Sequence, residues 1–241
     1  MSTESELFLL VVLFYLYDSS VFLYSNEAIL TRQSAEHWAA AVGWTGFVFA
    51  GRVLCMLNPF TPHKPSYRLH WNFNSLVVET ADRSWTESAS TIKPLAPFTL
   101  AGGAGLFVLL PLGLFTPLGV YADAAGMGLF YVATVCALYR VKRLGLLASP
   151  DLKRFVGFAF ECLACPPFGV NMVRRISLSR RIPEPLPLAG ARLLDAPSWD
   201  QLRSRCVARL DDALRITAEE SAESRALEAQ KQRLRELVSR P

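Results

Sequence analysis

Apolar and polar positions divide this chain into blocks of very different character. From Pro94 to Ala122 no residue is charged, whereas from Ser198 to Arg240 nearly every helical turn carries charge. Three apolar runs stand out. The first, Leu7 to Asn26, has twenty residues, and as a helix it rises about 30 Å, the thickness of a hydrocarbon core. The second, Phe98 to Phe115, carries Ala101, Gly102 and Gly105 close together, and small residues let helices approach closely in lipid. "TPLG" at Thr116–Gly119 is turn chemistry, and a third run follows from Val120 to Tyr139. Runs two and three therefore predict a tight antiparallel transmembrane hairpin. Arg140, Lys142 and Arg143 close it, with stems long enough to snorkel.

The stretch between the first and second runs has a different period. "AILTRQ", "FVFAGRVLCML" and "SYRLHWNF" mix β-branched and aromatic residues, with turn residues at Gly43, Gly46 and Gly51. A hairpin with its turn near "AGR" follows, and "NPFTPHKP" is irregular because its prolines fix φ and lack donors. Trp38–Leu57 is also long enough for a fourth span, with Arg52 as its only charge. The glycine spacing favours strands. Trp38, Trp44, Trp71 and Trp85 all lie in this region, as core or at a membrane interface.

After the hairpin, "SPDLKRF" supplies helix-start signals: Ser149 as cap, Pro150 in the first turn and Asp151 against the positive helix end. Pro166 and Pro167 end that helix. About fifteen residues, or roughly 22 Å, is too short to span. Leu152, Phe155, Val156, Ala159 and Leu163 share one face, which makes it an interfacial amphipathic helix. "RIPEPLPLAG" reads as an extended linker. A charged helix then starts at Ser198, with Trp199, Leu202, Cys206, Leu210 and Leu214 on one face; Thr217 with Glu220 forms a second start, and Leu227, Leu234 and Leu237 resume the stripe. The heptads are too broken for a coiled coil, so this tail docks on the cytoplasmic domain or on a partner helix.

The resulting layout is a mainly α membrane protein. A transmembrane anchor occupies 1–27, a small β-rich cytoplasmic domain 28–94 (with 38–57 as the possible extra span) and a transmembrane hairpin 95–145. A basic interfacial region covers 146–182, a proline-rich linker 183–197 and a charged helical tail 198–241. Glu4 and Glu6 precede the first run with no basic residue, so the anchor reads as uncleaved.

Composition adds little to this pattern, but charge distribution adds orientation. The 241 residues are 51% hydrophobic and 19% charged, below the charge of an ordinary soluble domain. Between Arg140 and Arg181 nine Lys or Arg face only two acids, Asp151 and Glu161. That belt, including Arg140, Lys142, Arg143, Arg174 and Arg175, suits anionic lipid headgroups. No nucleic-acid motif accompanies it. The same asymmetry places the C-terminus in the cytoplasm and the N-terminus outside. The excess of Arg over Lys points to a bacterial source, hence a multi-pass inner-membrane protein.

Candidate chemistry is sparse. Asp18 and Ser19 fall inside the first run, on a stripe running from Tyr15 to Asn26. An intramembrane acid is a functional hypothesis by default. Partners in the other runs include the hydroxyls Thr99, Thr134 and Tyr131, which suits inter-helix hydrogen bonding better than a proton relay. Cys162 and Cys165 form a CxxC, but at the C-terminal end of a helix, whose dipole does not activate a thiol. Together with His63 and His70 they are weak metal candidates; no second CxxC supplies the remaining ligands of a zinc site. The five cysteines are scattered and odd in number, so no disulfide framework is expected. "AGGAG" is not a phosphate loop, since no Lys follows it. No cofactor is implied. The expected function is a non-enzymatic scaffold or assembly subunit, with a protein partner or its own copies. The rivals are a membrane-bound redox or metal enzyme using the Cys and His residues, and a small oligomeric transporter using Asp18.

Overall fold

The computed structural model describes residues 3–24, 26–34, 37–41, 44–50, 52–70, 84–147, 151–180, 184–216 and 221–236. It is mainly helical with small antiparallel sheets, and the chain divides into two compact units. The first comprises Met1–Val21, Met56–Pro65 and Thr86–Arg180; the second comprises Phe22–Cys55, Ser66–Trp85 and Arg181–Pro241.

In the first unit, α1 (Thr3–Asp18) has 16 residues, about 24 Å of helix. The expected span to Asn26 is not formed. The helix stops at Asp18 because the Ser20 hydroxyl donates back to the Leu16 carbonyl at 2.8 Å and the chain turns extended from Ser20. Such serine back-bonding competes with helix continuation.

A continuous run of helix follows later in the chain: α2 (Ser84–Ile92), a 3-10 turn at Lys93–Leu95, α3 (Ala96–Ala104), a π turn at Gly105–Leu109 and α4 (Leu110–Phe115). Pro111 has no N–H to give the preceding turn, and the Leu110 N–H reaches back to the Gly105 carbonyl. After a turn closed by Gly119 at φ +48°, α5 (Gly119–Arg143) returns antiparallel. Two helices, Glu87–Phe115 of 29 residues and Gly119–Arg143 of 25, are long and apolar enough to cross a membrane. Their most apolar stretches are only 28% and 39% buried. Val108, Leu112, Val120, Val132 and Val135 stand exposed along them.

The two arms meet closely where glycines face each other. A Cβ on Gly105 would lie 2.5 Å from the Gly126 carbonyl oxygen, so only glycine permits this approach. Below that crossing, α6 (Leu152–Ala164), α7 (Pro166–Val170) and α8 (Met172–Ser179) wrap one side of the hairpin. Ile92, Leu95, Leu138, Val141, Met172 and Ile176 form the core there. Asp151, not Ser149, caps α6: its side chain accepts from the Lys153 N–H at 3.0 Å, while Ser149 and Pro150 lie outside the described residues.

The second unit holds the strands. These are β1 (Ser20–Leu23), β2 (Glu27–Arg32), β3 (Trp38–Ala41), β4 (Trp44–Phe49), β5 (Arg52–Met56) and β6 (Ser66–His70); β1 starts and β5 ends at the unit boundary. They form two three-stranded sheets, ordered β1-β5-β4 and β3-β2-β6. Ile29 pairs with Ala41 on one side of β2 and with Arg68 on the other. The β4–β5 hairpin turns at Ala50, φ 48°, the first residue of "AGR", as its sequence predicts. The described residues between Trp38 and Leu57 are therefore mostly in strands, Trp38–Ala41, Trp44–Phe49 and Arg52–Met56, and do not form a spanning helix. Strand does not extend to residue 94, since α2 starts at Ser84; Trp71 and the Trp85 side chain lie outside what is described.

The same unit contains α9 (Leu186–Leu193), α10 (Ala196–Ile216) and α11 (Ala222–Glu236). The expected linker is thus largely helical. Pro187 falls in the first turn of α9, where its missing N–H costs no bond. Gly190 lets the Trp199 ring come within 3.0 Å of where a Cβ would be. Trp199, Leu202, Cys206 and Leu210 are buried as one stripe, and α10 packs on α9, α11 and β3. Thr217, Glu220 and Leu237 lie outside the described residues.

Candidate functional site

A buried polar cluster of the helical unit gathers where α1 ends. Ser19 is fully buried, and its hydroxyl accepts from the Asn171 amide at 3.1 Å and from Arg174 Nη1 at 3.4 Å. Arg174 is only 2% exposed. Its Nη1 also donates to Asn171 Oδ1 at 3.4 Å, and its Nη2 donates to the Asn58 carbonyl and to Thr61 Oγ1. The Leu57 N–H donates to the Ser19 carbonyl at 3.0 Å, and the Tyr15 hydroxyl donates to the Pro59 carbonyl. Burial pushes the Arg174 pKa down from the ordinary guanidinium range, and the nearby Tyr15 and Asp18 pull it back up.

Local sequence explains each placement. "NPFTPHKP" cannot form a ladder, so its carbonyls at Asn58 and Pro59 are free to accept. Asn171 interrupts α7 and α8, which puts its amide and Arg174 three residues apart on one side. Gly169 lets the α7 turn sit against Phe130, where a Cβ would meet the ring at 2.9 Å.

Beside this cluster lies an ion-pair layer. Arg175 pairs with Glu161 through Nη2 and lies 3.9 Å from Asp18 Oδ1 through Nη1. Its guanidinium stacks on Phe168, 4.3 Å from the ring centroid. Arg174 and Arg175 were expected at the membrane surface with the basic belt, but Arg174 is buried among neutral oxygens and Arg175 is held by two acids. Their position on α8, behind α7, explains the difference: the side chains point at the end of α1. Arg140, Lys142 and Arg143 are exposed in the last turns of α5.

Neither cysteine is poised for chemistry. The Cys162 thiol is fully buried, donates to the Phe168 carbonyl at 3.8 Å, and burial pushes its pKa up to about 12. Burial raises Cys165 as well. His70 belongs to the strand unit, where it lies 3.1 Å from the buried Glu27 carboxylate. His63 sits in the helical unit with its Nδ1 buried and without a hydrogen bond, and burial lowers its pKa, with Lys64 adding to the effect. Among the described residues no three His, Cys, Asp or Glu converge as a metal site.

One residue escapes the sequence reading. Asp123 lies four residues into α5, inside the third apolar run, and its Oδ1 is buried against α4 without a hydrogen-bond partner. A Cβ on Gly113 would fall 2.0 Å from that oxygen. The signal was present in the sequence, as the one acid between Val120 and Tyr139. No family model, curated protein or solved structure matches this chain.

Proposed function

We propose that the chain is an integral membrane scaffold or assembly subunit with no catalysis of its own. The hairpin of α2–α4 and α5 crosses the bilayer, with its basic end in the cytoplasm and the Thr116–Leu118 turn outside. The bare apolar flanks of both arms support this, as does the restriction of basic residues to one end. In this reading α1 enters from the outer side and runs toward the cytoplasmic end, where it stops at Asp18, so it carries the chain inward ahead of the β-rich segment. Its antiparallel packing fits, since Phe8 meets Phe115 near the turn and Tyr15 meets Phe107 deeper in. A bacterial inner membrane suits the Arg-rich composition.

The observation that carries the scaffold reading is how the polar groups are used. Arg174, Asn171, Ser19 and Thr61 bond one another and the backbone, and so tie α1, the Leu57–Thr61 segment and α8 together. A transport or catalytic site presents such groups to a substrate. Here they fasten the fold that a partner meets. Asp18, beside Arg175, belongs to the same fastening.

The test substitutes Asp18. Asn keeps hydrogen bonding but cannot titrate, whereas Leu can do neither. Asp18→Asn is expected to preserve the assembly seen by native electrophoresis in mild detergent and the growth of a strain that depends on the protein. Asp18→Leu is expected to loosen it. Loss of function in Asp18→Asn with the assembly intact would move the protein to the transporter class.

A further inference from the structure

We propose that the cleft between the last turns of α5 and the first turn of α6 binds one anionic phospholipid, with its phosphate at Lys142 and an acyl chain along α6. This rests on the membrane reading above and gives it a specific ligand site. The cleft holds about 210 Å³ and is lined by Val141, Lys142, Gly145, Leu147, Leu152 and Phe155, with Asp151 at its edge. It is small for a whole ligand, but suits a segment of chain entering from one open side.

Three features converge on this ligand class. The first is a free cation over an apolar floor. The Lys142 ammonium lies 5.8 Å from the Phe155 ring centroid, its stem covers apolar surface, and among the described residues no carboxylate pairs with it. The second is an apolar track leading out of the cleft. Leu152, Val156 and Phe160 recur at four-residue spacing on α6 and are 65%, 56% and 71% exposed. The adjoining flank of α6, with Phe155, Phe158, Ala159 and Leu163, packs on the core. The apolar face of the amphipathic helix is therefore wider than its core contact, and the Leu152–Phe160 edge of it stands exposed in the described chain.

The third feature is charge. Arg140 and Arg143 on α5, and Lys153 and Arg154 on α6, are further exposed cations on the two elements that form the cleft. The one acid at the cleft, Asp151, is engaged as the cap of α6. Lys142 is the cation lining the cleft, and the excess of exposed Lys and Arg along the end of α5 and the start of α6 favours a phosphodiester with net negative charge over a zwitterionic headgroup. Each basic residue near an anionic surface adds roughly fivefold in affinity. The site also lies at the end of a helix long enough to cross a membrane, where headgroups belong.

The experiment uses the full chain, purified and delipidated in mild detergent. Dioctanoyl phosphatidylglycerol, dioctanoyl phosphatidylcholine and inorganic phosphate are titrated against it, with native mass spectrometry and thermal melting as readouts. One phosphatidylglycerol per chain is expected, with a raised melting temperature, weaker retention of phosphatidylcholine and no effect of phosphate. Lys142→Gln is expected to weaken phosphatidylglycerol by at least about fivefold. Leu152→Gln is expected to weaken it while leaving the lipid-free melting temperature unchanged. Equal binding of both lipids, or no effect of Lys142→Gln, overturns the site. Equal protection by inorganic phosphate reduces it to an anion site and also overturns the proposal. Recovery of the chain in the soluble fraction without detergent would instead refute the membrane reading itself, so the two failures are distinct.

Discussion

Arg174 donates to the hydroxyl of Ser19, 155 positions earlier in the chain, at 3.4 Å inside a buried cluster. This bond joins the end of α1 to α8, and the same guanidinium holds the Asn58 carbonyl. Removing it strands several buried acceptors. Arg174→Ala is expected to destabilise the helical unit by about 2–4 kcal/mol, and Arg174→Lys to recover little, because an ammonium cannot reproduce the planar fork. Ser19→Ala should cost about 1 kcal/mol. Thermal melts in detergent check the order; an Arg174→Lys variant as stable as the parent would show that the fork is not needed.

Asp123 and Gly113 form a second close pair, with a Cβ on Gly113 only 2.0 Å from the carboxylate. Gly113→Ala should therefore lower the melting temperature. Adding Asp123→Ala should restore part of the loss, because the clash is with that side chain as well as with its backbone N–H. A double variant no better than Gly113→Ala alone would locate the strain elsewhere.

The cysteines test the reading of the CxxC. With its thiol pKa near 12, Cys162 has about one thiolate in ten thousand at pH 8. In the folded chain it should resist maleimide, and become reactive on unfolding. Cys162→Ser with Cys165→Ser should leave abundance and metal content unchanged. A stoichiometric metal in the parent that disappears from the double variant would restore the metal reading.

His63 gives a pH dependence. Its folded pKa is depressed, so the unfolded chain binds its proton first as pH falls. Its contribution is therefore complete above the ordinary imidazole pKa of about 6.5 and declines as pH drops below that value. Melting temperature measured from pH 7.5 to 5 should fall, and less steeply in His63→Gln. Parallel curves for the two proteins would assign the dependence to other groups.

Much of the architecture was legible because its signals are local. The hairpin follows from an uncharged run, a "TPLG" turn and a basic end; the strand hairpin follows from aromatic and β-branched residues around "AGR". The stripe Trp199–Leu210 was visible at helical spacing. The misreadings arise from long-range partners. Hydropathy continues past Asp18 through "SSVFL", but Ser19 is claimed by Asn171 and Arg174, and Ser20 opens a strand. Likewise Arg174 looks like its basic neighbours in sequence, and the partners that hold it inward, Ser19, Asn58 and Thr61, lie far from it along the chain. "PEPLPLAG" looked extended because proline discourages helix interiors, yet Pro187 falls in a first turn.

The most direct measurement is the accessibility of the hairpin's two ends in sealed, right-side-out vesicles containing the full chain. Single cysteines at Leu118 and at Arg143 are probed with a membrane-impermeant maleimide. The account predicts that Leu118→Cys labels in intact vesicles and that Arg143→Cys labels only after permeabilisation. Labelling of both from the outside, or of Leu118→Cys only after permeabilisation, would contradict a hairpin that crosses the bilayer with its basic end in the cytoplasm.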